Sequence, residues 1–148
     1  MKAILLVEDD PSDAKLTLRA LQRSNLANEI IVAQDGAEAL ETLLGASADP
    51  GREAPTLPTL ILLDLNLPKV GGLDVLRRIR ADRRTRALPV VVLTSSSEEE
   101  DVIQSYDLGA NAFLRKPVDF MKLADAARVL GLFWQLSDES VVFRAASR

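Results

Sequence analysis

Leu60-Ile61-Leu62-Leu63-Asp64-Leu65-Asn66-Leu67-Pro68 is the stretch in which the fold of this chain is decided. Its apolar run is too short for a helix and too continuous for a strand with one wet face. It therefore reads as a strand buried on both sides, the environment of a parallel sheet. The run stops at a carboxylate, Asp64. Three other runs have the same form: residues 4–7 lead into Glu8 and Asp9, residues 90–93 into Thr94, and residues 112–114 into Arg115, Lys116 and Pro117. Sheets of this kind bind ligands just beyond the carboxyl ends of their strands, so the four polar endings are expected to converge on one cleft.

Between the runs the period changes to that of helices. The first strand, residues 3–7, meets a helix start at Asp10-Pro11-Ser12-Asp13, where Asp10 can cap and Pro11 suits the first helical position. Ala14, Leu18 and Leu21 mark one face of that helix. A second strand, about residues 29–33, passes through Asp35-Gly36 into a helix with Ala37, Leu40 and Leu44 at helical spacing. Residues 45–58 carry Gly45, Pro50, Gly51, Pro55 and Pro58, which reads as a surface loop. After the third strand, residues 59–64, a Gly71-Gly72 turn precedes a helix with Val75, Leu76 and Ile79 inward. The fourth strand, residues 89–94, leads through Ser95, Ser96 and Ser97 to a helix opening with Glu98, Glu99, Glu100 and Asp101, acids that suit the helix dipole. The fifth, residues 112–115, reaches Lys116-Pro117 and a last helix over about residues 119–136. Five alternations predict a doubly wound α/β domain with a parallel sheet.

Composition narrows the chemistry. A chain of 148 residues builds one domain with a real core and leaves no room for a second. It has no cysteine, which excludes disulfides, zinc ribbons and thiol catalysis. It has no histidine either, so a Ser-His-Asp triad, a His-ligated metal and a phosphohistidine of its own are all excluded. The net charge of -4 does not favour nucleic acid or an anionic membrane. Residues 1–7 are too short an apolar stretch for a signal peptide, and no run approaches a membrane span, so a cytoplasmic location is expected.

What remains is a chemistry of carboxylates and cations. A hard divalent ion takes oxygen ligands, and Glu8, Asp9 and Asp64 would supply them at adjoining strand ends, with magnesium the natural candidate. An aspartate beside a metal and a lysine stays ionised, and its carboxylate can attack a phosphoryl group whose charge both cations screen. Asp64 suits the nucleophile, Thr94 can donate to a phosphoryl oxygen, Lys116 can pair with another, and Asn66 lies two residues past the nucleophile.

On these residues the chain resembles the receiver domains of two-component response regulators. The resemblance rests on Leu5-Leu6-Val7-Glu8-Asp9-Asp10-Pro11, Leu62-Leu63-Asp64-Leu65-Asn66-Leu67-Pro68, Val91-Val92-Leu93-Thr94-Ser95 and Leu114-Arg115-Lys116-Pro117, and it covers about residues 1–130. It implies a flavodoxin-like (βα)5 fold with a five-stranded parallel sheet in the order 2-1-3-4-5. It further implies that Asp64 is the phosphoacceptor, that Asp9 and the backbone carbonyl of Asn66 hold the metal, with Glu8 acting through the metal's waters, and that Thr94 and Lys116 read the phosphoryl group. Phe113 stands at the place of the family's aromatic switch residue, without the tyrosine hydroxyl found in many relatives. Two features depart from the usual pattern: Glu8 replaces an aspartate, and the loop over residues 45–58 is long. By the same resemblance the chain is not a turnover enzyme, and its phosphodonor is a histidine kinase.

Residues 131–148 are expected to extend the last helix and end in a tail, without a separate output domain. Val129, Leu130, Leu132, Phe133 and Trp134 would wrap around that helix, so part of them would stay exposed in a monomer, which predicts a homodimer with Phe133 and Trp134 buried in it. A lone receiver with this ending looks like the regulators of bacterial phytochrome histidine kinases. Arg77, Arg78, Arg80, Arg83, Arg84 and Arg86 cluster at a helix end and lack interleaved aromatics, which reads as a solvated terminus and not a nucleic-acid surface. Two other functions share the fold and part of the residue set. A metal-dependent aspartyl phosphatase would want an acid at position 66, where Asn66 stands, and a phosphorylation-independent interaction module would not need the intact acidic pair, Thr94 and Lys116.

Overall fold

The computed structural model describes residues 3–24, 29–45, 57–94 and 108–131, together with the backbone of Val142–Ala145. The elements in order are β1 (Ala3–Val7), α1 (Pro11–Ser24), β2 (Glu29–Ala33), α2 (Gly36–Leu44), β3 (Leu60–Asp64), α3 (Gly72–Ala81), β4 (Val90–Thr94), β5 (Ala112–Arg115), α4 (Phe120–Val129) and β6 (Val142–Ala145). All strand pairs are parallel, and the sheet order is β5-β4-β3-β1-β2-β6. The five expected strands thus stand in the expected 2-1-3-4-5 order.

Strand pleating sorts the apolar runs onto two faces. Ile4, Leu6, Leu60, Leu62, Val91 and Leu93 meet Leu21 of α1 and Leu123 of α4. The alternate residues Leu5, Val7, Ile61, Leu63, Val90 and Val92 meet Leu40 and Leu43 of α2 and Val75, Leu76 and Ile79 of α3. The unbroken apolar sequence of each strand is therefore explained by helices on both sides. Burial of each such Leu or Ile side chain contributes about 2 kcal/mol.

Local chemistry fixes the helix starts. Asp10 Oδ1 accepts from the backbone N–H of Ser12 (2.8 Å) and of Asp13 (3.1 Å), the expected cap. Asp35 caps α2 in the same way through the N–H of Glu38. Gly72 allows the start of α3 to lie against the backbone of Asp64 and Leu65, where an added Cβ would collide with the Asp64 carbonyl.

Several expectations need correction. Of Ala37, Leu40 and Leu44, read at helical spacing, only Leu40 is buried, because the buried apolar stripe of α2 is Ala39, Leu40 and Leu43. The last helix ends at Val129 instead of continuing to residue 136: Gly131 adopts φ 72°, a left-handed conformation that stops a helix, and its N–H donates to the carbonyl of Arg128. Phe133 and Trp134, expected on its continuation, lie outside the described residues. The tail also supplies a strand that its sequence did not announce, β6, which pairs with β2 from Glu29↔Val142 to Val32↔Ala145. The long loop at residues 46–56 and the helix expected after Ser97 lie outside the described residues. No helix among the described residues is long and apolar enough to cross a membrane.

Candidate functional site

Chain order reverses between β1 and β3, which are neighbours in the sheet, and a crevice opens at such a switch point beyond the strand ends. Register places the polar endings around it. Val7 lies opposite Leu63, Asp64 opposite Leu93, and Thr94 opposite Arg115. Glu8, Asp64 and Thr94 are buried, while Asp9 is exposed at the mouth. The sequence expectation that these endings converge is met.

Lys116 crosses into the crevice from the end of β5, with its side chain only 9% exposed. Its backbone N–H donates to the Thr94 carbonyl at 3.0 Å, and the following Pro117 is joined by a cis peptide bond. The ammonium lies 2.7 Å from Glu8 Oε1, 3.1 Å from Asp64 Oδ2 and 3.2 Å from Asp13 Oδ2. The Glu8 contact has the distance of a hydrogen bond but not its direction, so charge more than directed bonding holds it. Asp64 is oriented from its other oxygen, where Oδ1 accepts from the Asn66 backbone N–H at 3.2 Å. Asn66 itself is exposed.

Two carboxylates and one ammonium share this buried space, and the balance is visible in their proton affinities. Burial, reinforced by a hydrogen bond with Asp64, pushes the Glu8 carboxyl up to about 7, against the opposing pull of Lys116. Burial also works against the Lys116 ammonium, but Glu8 and Asp64 together outweigh it and hold its pKa above the ordinary lysine value. The site carries more negative charge than one lysine neutralises. Carboxylate oxygens of Glu8, Asp9 and Asp64 lie within 4.8 Å of one another, an all-oxygen set with one open, exposed member. Such a set fits a hard divalent cation, whose charge would offset the crowding that raises Glu8.

Phe113 is half-buried on β5, packed with the α2 and α3 side of the core opposite Val92. Thr94 follows Val90 and Val92 on the same side of β4 by the two-residue alternation. Sequence reading missed one member of the site, Asp13, because its place in the first turn of α1 already had a sufficient explanation in the helix dipole. It also missed Arg80, which belongs to a structural network at the opposite end of the sheet.

Comparison with known proteins agrees with this geometry. The profile of the response regulator receiver domain matches residues 4–128. The response regulator Rcp1 of Synechocystis is 40% identical over 133 residues, which cover 90% of this chain and 88% of Rcp1. Among solved structures, the bacteriophytochrome response regulator AtBRR superposes with a TM-score of 0.79 at 49% identity, covering 94% of this chain and 99% of that one. A manganese-bound form of Rcp1 superposes with a TM-score of 0.71 at 38% identity, covering 95% and 99%. With the profile spanning most of its length and relatives of this identity and coverage, the chain belongs to the response regulator receiver domain family.

Proposed function

We propose that the chain is a single-domain response regulator that accepts a phosphoryl group on Asp64 from a histidine kinase and signals through altered protein contacts. The observation that carries this reading is the Lys116 ammonium set between Asp64 and Glu8, with Asp9 open to solvent beside them. An Asp64 carboxylate oxygen forms a bond to phosphorus as the donor's phosphorus–nitrogen bond breaks. The departing imidazole keeps the electron pair. In this reading Lys116 and the Thr94 hydroxyl receive the transferred oxygens. Magnesium, held by Glu8, Asp9, Asp64 and the Asn66 carbonyl, would screen the charge that accumulates there. Response regulators of this kind are signalling proteins and not enzymes of substrate turnover.

In this reading Thr94 and Phe113, which share one side of the sheet, form the switch that reports the phosphoryl group. The kinase belongs to a phytochrome-linked pathway, a reading supported by similarity to the bacteriophytochrome response regulator AtBRR and the cyanobacterial phytochrome response regulator RcpA. The protein acts in the cytoplasm, without nucleic acid, as a homodimer through the last helix and the segment with Phe133 and Trp134. Val129, an apolar residue 85% exposed where α4 leads into that segment, supports the dimer.

Incubation with magnesium and a small phosphodonor, followed by detection of the acyl phosphate, tests the central step. Wild type should take up about one phosphate per chain, as a single acyl nucleophile allows. An Asp64→Asn variant should take up none, and full retention there would refute the assignment. Sedimentation of wild type and a Phe133→Ala, Trp134→Ala double variant tests the dimer, which is wrong if wild type stays monomeric at tens of micromolar with and without phosphate.

A further inference from the structure

We infer that Asp13 is a positioning residue that holds the Lys116 ammonium on the unphosphorylated side of the reaction, so that loading Asp64 requires the Asp13–Lys116 contact to be released. The inference rests on Asp64 being the phosphoacceptor. Asp13 stands in the first turn of α1, fixed by its own backbone N–H donating to the Asp10 cap. Its carboxylate is thereby aimed across the crevice, and Lys116 Nζ donates to Asp13 Oδ2 at 3.2 Å. An ammonium has three N–H donors. Here three carboxylates surround it, those of Glu8, Asp64 and Asp13.

A phosphoryl group on Asp64 brings new anionic oxygens, and Lys116 can answer them only by turning away from a present partner. The three partners are not equal in what they lose. The Glu8 side chain is fully buried, so water cannot take the place of the ammonium there. Asp64 is the acceptor itself and is 4% exposed. Asp13 is 37% exposed, and water can take the place of the ammonium there. Asp13 is therefore the partner that yields. Because the contact stabilises the unphosphorylated state and not the phosphorylated one, it shifts the population toward the former. Its charge adds to that bias, since a carboxylate beside the crevice opposes an incoming phosphoryl dianion. No atom of Asp13 joins the transfer: the bond formed is Asp64 oxygen to phosphorus, and the bond broken is phosphorus to the donor.

Asp13→Asn keeps the size and the helix position while removing the charge, and Asp13→Ser is a second neutral variant should the first fold poorly. Phosphorylation by a small phosphodonor in magnesium is followed alongside the lifetime of the acyl phosphate and the melting curve. The neutral variants should reach a higher phosphorylated fraction, with a ratio of loading to loss raised by about two- to fivefold, the worth of a partly exposed ion pair. Asp13→Glu, which restores a carboxylate within reach of Lys116, should return toward wild type, and high salt should narrow the difference between Asp13→Asn and wild type. A merely structural role would lower the melting temperature in all three variants and leave that ratio and its salt dependence unmoved. An unchanged or lowered ratio in folded Asp13→Asn, with label absent from Asp64→Asn, overturns this inference alone. Label retained in full by Asp64→Asn overturns the phosphoacceptor assignment and this inference with it.

Discussion

Lys116 and Arg80 are both cations withdrawn from solvent to join elements that the sequence keeps far apart, yet they are surrounded by opposite kinds of partner. Lys116, at the carboxyl end of the sheet, faces carboxylates from β1, α1 and β3. Arg80, at the amino end, faces neutral oxygens: its Nε and Nη2 donate to the Gly109 carbonyl at 3.0 and 2.6 Å, its Nη1 to the carbonyls of Arg86 (3.0 Å) and Leu88 (2.7 Å), and its Nη2 to Asn111 Oδ1 (3.0 Å). Asn111 Oδ1 also accepts from the Val90 backbone N–H, so the guanidinium ties the starts of β4 and β5 to the end of α3. Burial lowers the Arg80 pKa, but arginine keeps its charge in proteins, and the fork geometry lets one side chain satisfy several fixed acceptors at once. The difference separates a joint from a site. Neutral acceptors fix a cation permanently, whereas mutually repelling carboxylates leave the cation exchangeable by another positive charge or available to another anion.

Two substitutions of similar size should therefore respond differently to a divalent ion. Lys116→Met leaves Glu8 and Asp64 crowded without their ammonium and should cost about 3 kcal/mol at neutral pH, the lower part of the range for breaking a buried pair, because Glu8 can take up a proton in compensation. Magnesium should restore much of that loss, since it binds the folded state and supplies the missing charge. Arg80→Met should cost about 2 kcal/mol, the net value of several hydrogen bonds to a charged donor. It should recover nothing with magnesium and leave phosphorylation of Asp64 intact. Arg80→Lys should rescue only part, because a single ammonium cannot span the carbonyls of Gly109, Arg86 and Leu88. Urea unfolding with and without magnesium decides the matter, and equal magnesium responses at the two positions would erase the distinction.

A smaller effect sharpens the account of the metal. Asp9 is the exposed carboxylate of the acidic set, so as a proposed metal ligand it is expected to aid cation binding without being needed to neutralise the buried lysine. Asp9→Ala should weaken magnesium binding by at least about tenfold by calorimetry while leaving stability in metal-free buffer within about 0.5 kcal/mol of wild type. Equal affinities would remove Asp9 from the metal's ligands.

The two regions also differ in how far they were legible in the sequence. Glu8, Asp9, Asp64, Thr94 and Lys116 could be read because each ends an apolar run, and parallel strands deliver their ends to one edge of the sheet. Asp13 escaped because an acid in a first helical turn already has a local reason to be there, and only the approach of Lys116 across a separation of over a hundred residues gives it another. Arg80 escaped for a related cause. Within the sequence it is one of six arginines at a helix end, and nothing local marks which of them turns inward to the carbonyls of a later loop. The tail was misread at Gly131, whose left-handed backbone ends α4, and β6 could not be foreseen because the edge of β2 that it pairs with is supplied by a distant part of the chain. Periodicity reports burial and strand ends well. It does not report which polar side chain a folded neighbour will claim.

Asp82 gives the finest test of the contrast between charged and neutral partners, because it lies near Arg80 yet is held as Lys116 is, by charge. Its Oδ1 accepts from the Arg84 backbone N–H (2.8 Å) and Nε (3.1 Å), and its Oδ2 from Arg84 Nη2 (3.0 Å). Those bonds, the Arg84 side chain's foremost, bring its carboxyl from 3.8 down to about 2. A depressed folded pKa means that the contribution to stability is fully present above the unfolded value of 3.8 and is lost as pH falls through about 2. The pair lies at the surface, within reach of water and ions, so the contribution is small and screened by salt. A carboxyl titration by NMR should accordingly place the Asp82 midpoint near 2 in wild type and nearer the unperturbed value in Arg84→Ala. The slight loss of melting temperature in Asp82→Asn should fade as salt is added, while the larger loss in Arg80→Met should persist, because a guanidinium bound to carbonyls has no opposite charge for salt to screen. Salt sensitivity at Arg80 equal to that at Asp82 would show that the amino-end network is held by charge after all, and that the two cations do not differ in the way their partners imply.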